Sequence, residues 1–94
     1  MSEQSIQIKA GDAEIKGAYS NMMEIKHGKE EFCLDFLSIF PPVGALSARI
    51  IMSPGHLKRM IKALQESLQR YEDNFGNVEQ AVEPERPSLG FSMK

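Results

Sequence analysis

The sequence predicts an α+β fold: a three- or four-stranded antiparallel meander followed by one long C-terminal helix, assembled as a homodimer. Three observations lead there. Between residues 18 and 52 apolar and polar residues alternate with period two, as half-buried strands require. From Leu57 the apolar residues switch to alternating steps of four and three, the spacing of one helix face. The most apolar strand is apolar on both sides, more than one helix can cover in a 94-residue chain.

In residues 1–17, Ile6 and Ile8 alternate with Gln7 and Lys9, a weak strand signal ended by the Gly11-Asp12 turn. Ile15 is the only later large apolar residue, so this stretch reads as a loose N-terminal segment or an edge strand. Residues 18–27 form the first clear strand. Tyr19, Met23 and Ile25 share a face with Asn21 and His27; Ser20, Met22, Glu24 and Lys26 share the other. The polar turn at His27-Gly28-Lys29-Glu30 implies antiparallel pairing with the next strand, residues 31–40. There Phe32, Leu34, Phe36 and Phe40 line one face, and Cys33, Asp35, Leu37 and Ile39 the other. Pro41-Pro42-Val43-Gly44 reads as a loop, and residues 45–52 as the third strand of the meander.

Ser53 is a favoured N-cap and Pro54 fits the first helical position, where no N–H is needed. The seam Leu57, Ile61, Leu64, Leu68, Tyr71 and Phe75, widened by Met60, runs to the terminator Gly76. This seam is expected to meet Phe32, Leu34, Phe36, Leu46 and Ile50. After it, Glu79, Glu83, Pro84, Glu85, Arg86 and Pro87 leave little to bury. The division is therefore residues 1–17 as a loose segment, 18–76 as a single domain and 77–94 as a disordered tail. Docking of the mildly apolar stretch at residues 89–93 is the minor alternative.

Hydrophobic residues make up 41%, charged residues 26%, and the net charge is −2, an ordinary globular mix. No run approaches the roughly 18 apolar residues of a membrane span. Residues 1–10 have neither the basic nor the apolar region of a secretory signal, so a cytoplasmic location is expected. The single cysteine, Cys33, can form neither an internal disulfide nor a cysteine metal cluster.

Several stretches together resemble a small prokaryotic family of unknown function, DUF3467. They are Tyr19 and Asn21, the run Glu31-Phe32-Cys33-Leu34-Asp35-Phe36, Met52-Ser53-Pro54-Gly55-His56 at the helix start, and Tyr71-Glu72 with Phe75-Gly76 at its end. The resemblance implies a bacterial protein with a strand-rich first half and one long helix; it implies no activity. A looser likeness to export-chaperone subunits and single-strand-binding repeats is one of shape only.

The residues themselves offer little catalytic chemistry. Cys33 shares a strand face with Asp35, and a neighbouring carboxylate raises rather than lowers a thiol pKa, so Cys33 reads as a small core filler. His27 and His56 have no acidic partner at metal-ligand spacing. No enzyme, metal or cofactor is expected. Asp35 reads as a surface-facing cross-strand partner of Arg49 with Lys26 beside it; a polar group specifying a dimer interface is the alternative.

Two binding surfaces remain. Met22, Leu37, Ile39 and Ile51 would form an apolar patch on the outer sheet face, serving a homodimer or another protein. On the helix, Lys58, Arg59 and Lys62 precede Glu66, Glu72 and Asp73, an order adverse to the macrodipole. Arg49, His56, Lys58, Arg59 and Lys62 could therefore hold an anion or nucleic-acid phosphates, although such charges often only solvate an exposed face. The expected function is a non-catalytic homodimeric module that binds another protein through an apolar sheet face. The alternative is a weak nucleic-acid binder acting through the basic helix start.

Overall fold

The computed structural model describes residues 4–84 and Gly90. Five elements follow in chain order: α1 (Asp12–Lys16), β1 (Met22–His27), β2 (Phe32–Phe40), β3 (Val43–Met52) and α2 (Pro54–Phe75). The strands form one antiparallel sheet in the order β1-β2-β3, followed by the long helix, so the α+β expectation holds with three strands.

No strand forms at Ile6 and Ile8, whose side chains are almost fully exposed. The segment instead closes one short helix, α1, with Asp12 and Glu14 in its first turn and Lys16 in its last, an order that suits the helix dipole. Glu14 Oε1 accepts the Gly11 N–H at 3.0 Å. Gly17 then takes φ +82°, a left-handed value that suits glycine, and the chain leaves the helix. Residues 77–84 are described and carry no regular structure. Of the stretch 89–93 only Gly90 lies among the described residues.

The first hairpin pairs His27 with Phe32 and Met22 with Leu37, close to expectation. The second hairpin is tighter than the proline pair suggested. β3 begins at Val43, paired with Phe40, so only Pro41 and Pro42 lie outside the ladder. Gly44 belongs to the strand: a Cβ there would come within 2.8 Å of Ile39 Cδ1, so glycine gives that side chain its space. A bulge follows. Phe36 faces Ala48 but Leu37 faces Leu46, leaving Ser47 as the extra residue. This corrects the expected place of Leu46. Opposite Leu37 it shares the face turned away from Ile50 and the helix, because side chains of directly opposed residues point to the same side.

α2 starts as its residues dictate. Ser53 Oγ accepts the His56 N–H at 3.2 Å, and Pro54 occupies the first turn. Gly76, at φ +95°, ends it by donating its N–H to the Glu72 carbonyl at 2.8 Å. The helix packs on the sheet face carrying Met23, Ile25, Leu34 and Phe36. Only its first turns reach that face: Leu57 is its one buried residue and Met60 is half-buried.

Leu34, on the central strand and 1% exposed, anchors that packing. Leu34→Ala is expected to cost about 2–5 kcal/mol in urea unfolding, whereas Ile8→Ala should stay within about 0.5 kcal/mol.

Candidate interaction surface

An open cleft of about 330 Å³ lies between the helix and the sheet. Its floor is Met23, Ile25, Leu34 and Phe36; its wall is Leu57, Met60, Ile61 and Leu64, all apolar. The apolar surface continues past the cleft along α2 through Leu68 and Tyr71 to Phe75, which is 75% exposed. Tyr71 and Phe75 rest on each other, with ring centroids 4.9 Å apart. Sequence periodicity identified this seam, but as core. The structure leaves most of it in contact with solvent, Leu64 at 59%.

The opposite sheet face behaves in the reverse way. Met22, Leu37 and Ile39 are buried and packed together in the single chain. The expected patch is therefore corrected: three of its four residues are core and only Ile51 stands exposed. Residues 19–21 hold this end closed. The Asn21 N–H donates to the Leu37 carbonyl at 2.9 Å, extending the ladder by one residue. The Asn21 side-chain amide then acts as a further peptide group, donating to the Ile39 carbonyl at 2.9 Å and accepting the Ile39 N–H at 2.8 Å. Ser20 Oγ bonds the Leu37 carbonyl at 3.1 Å, and Ser47 Oγ donates to the Tyr19 carbonyl at 2.6 Å. The Tyr19 ring stacks against Phe40 at 6.2 Å. The segment thus ties β1 across β2 to β3. Spacing alone could not reveal that Asn21 works through its side chain.

Asp35 lies on this same face. It pairs with Arg49 in the expected register, but its side chain is fully enclosed rather than surface-facing. Arg49 Nε donates to Oδ1 at 2.7 Å and Nη2 to Oδ2 at 2.8 Å, a two-pronged pairing. Lys26 Nζ stands 3.9 Å away on β1, and the Cys33 thiol donates to Oδ1 at 3.6 Å. The enclosure is thin, because the cations that cover the carboxylate are themselves 61% (Lys26) and 45% (Arg49) exposed. The guanidinium holds the Asp35 carboxyl below its usual range, against the opposing effect of burial. The carboxylate in turn raises the Arg49 pKa.

The candidate phosphate ligands do not converge. Arg49 is bound to Asp35 on the face away from α2. On the helix, Arg59 Nη2 donates to His56 Nδ1 at 2.8 Å, a contact that needs that nitrogen unprotonated. Lys58 and Lys62 are exposed. Among the described residues, no group of three or more His, Cys, Asp or Glu is placed to hold a metal ion. No described helix is long and apolar enough to cross a membrane.

The Asp35 pairing sets a pH dependence. Its folded pKa lies below the unfolded value of about 4, so its stabilisation is complete above pH 4 and is lost as pH falls through the folded value. Acid titration of the unfolding midpoint should show this loss, and Asp35→Asn should remove that component. Arg49→Gln should raise the Asp35 pKa, read by NMR titration, and lower the thermal midpoint at pH 7.

No curated protein and no solved structure matches the chain. The sequence profile described as "Protein of unknown function (DUF3467)" matches residues 1–80, and the chain belongs to that family.

Proposed function

We propose that the chain is a non-catalytic, cytoplasmic homodimeric binding module. The observation that carries this is the continuous apolar surface running from Met23 and Ile25 through the cleft and along α2 to Phe75. Contiguous apolar surface of this extent marks an interaction site, and symmetric self-association is the commonest way to cover one. Two of the polar side chains on the sheet have structural partners: Asp35 binds Arg49, and Asn21 binds the Ile39 backbone. Engagement of another protein then falls to the sheet surface at β3, where Leu46 and Ile51 remain exposed.

Light scattering at micromolar concentration should give twice the chain mass. Ile61→Asp combined with Leu68→Asp should give a monomer whose far-ultraviolet circular dichroism still reports the helix. A monomeric wild type would remove the homodimer. Partner engagement is checked by pull-down from the host with wild type against Leu46→Ser/Ile51→Ser, which should lose the bound protein.

The nucleic-acid alternative draws support only from the exposed Lys58 and Lys62, since Arg49 and Arg59 already have partners. Phosphate contacts would make affinity for oligonucleotides fall steeply with salt. The binding-module reading expects no oligonucleotide binding even at low salt.

A further inference from the structure

We infer that two copies associate through an antiparallel, two-fold pairing of α2, with the basic first half of each helix against the acidic second half of the other. The inference rests on the homodimer reading above and supplies its geometry.

The seam residues Leu57, Ile61, Leu64, Leu68, Tyr71 and Phe75 alternate in steps of four and three, the repeat of helices that pack along one another. One copy buries only the first of them. A two-fold axis between Leu64 and Leu68 sets Leu64 against the partner's Leu68 and Ile61 against the partner's Tyr71. Phe75 then reaches the level of the partner's Leu57, where the cleft opens over Met23 and Ile25. The half-exposed apolar side chains of the helix seam and this sheet face, at roughly 200 Å² apiece when fully exposed, offer on the order of 800 Å² per copy. A standard stable interface needs about that area from each partner.

Charge selects the direction. Lys58, Gln65 and Glu72 follow one another at seven-residue intervals and so flank the seam on one side. With the helices antiparallel, Gln65 meets the partner's Gln65 and Lys58 meets the partner's Glu72, twice per dimer. With the helices parallel, Lys58 and the partner's Glu72 would lie at levels about 20 Å apart and could not meet. Within one chain the charge order is unfavourable: α2 has no acidic residue in its first turn and no basic residue in its last. Pairing in this sense opposes the two dipoles and gives each charged half its complement. Glu72 remains suited to the contact, because Val78 N–H uses its Oε2 and a carboxylate has two acceptor oxygens.

Lys58→Glu, Glu72→Lys and the double reversal test this on the full chain, with dimer dissociation followed by analytical ultracentrifugation at low salt. Each single reversal places like charges at both symmetric contacts and should weaken the dimer on the order of tenfold. The double reversal should return within about threefold of wild type. A dimer indifferent to the single reversals, or not restored by the double one, overturns the antiparallel pairing and leaves the homodimer standing. A monomeric wild type overturns both. Spin labels in a Cys33→Ser background give a second measure: labels at Ser67 should lie within about 15 Å of each other, and labels at Asp73 about 25–30 Å apart. Ser67 labels much farther apart, as in a dimer joined through β3 edges or one whose groove is filled by a different protein, overturn the pairing.

Discussion

The long helix covers only part of the sheet face on which it packs, and the rest of the architecture follows from that partial cover. Ser53 alone separates β3 from α2, so the helix starts at the edge of the face it packs on. Its 22 residues extend for about 33 Å, but beyond Leu57 and Met60 its apolar side chains are largely exposed. Everything apolar beyond that point, on helix and sheet alike, is left half in water. Burial of apolar area is the main favourable term in folding, and small domains have little of it to spare. In the single chain most of the helix seam stays in contact with solvent.

The other sheet face reaches closure by polar means. Met22, Leu37 and Ile39 form a small apolar centre, closed at one end by the Asn21 amide, which stands in for a peptide group where the ladder runs out. Beside it Asp35 on the central strand is held between Arg49 of β3 and Lys26 of β1. Such an arrangement contributes little net stability compared with an apolar residue of similar size, because desolvation offsets the attraction. Its value lies in register. A one-residue slip of β3 would turn Arg49 to the opposite face and leave the enclosed carboxylate only Lys26, 3.9 Å away. The central carboxylate thus favours the observed alignment of β2 with β3. The two faces thus differ: one is closed within the chain, and the other leaves apolar side chains exposed.

Much of this was legible in the sequence, and each departure has a physical cause. The period-two alternation located three strands and assigned Leu34 and Phe36 to the helix side. The four-three spacing with Ser53, Pro54 and Gly76 located α2 to its ends. The Asp35–Arg49 pair was expected because Arg49 is the cation that the neighbouring strand offers. What failed was exposure. Met22, Leu37 and Ile39 were expected to be an open patch because periodicity reports which side a residue is on and not what lies above it. Leu46 changed faces because a bulge adds one residue without leaving a compositional mark. The proline pair looked like a long loop because its reach depends on whether Val43 finds Phe40 across the turn.

The sequence by itself therefore determined the three strands and the long helix, their order and, up to the bulge at Ser47, the faces of their side chains, since these depend on local steric preference and on the repeat of apolar residues along the chain. Only the tertiary structure decided which face is closed and which is open, because burial depends on the direction in which α2 leaves the sheet and on a hydrogen bond from Asn21 to a strand eighteen residues away. The seam that reads as core along the chain is, in space, a surface, and the patch that reads as surface is core.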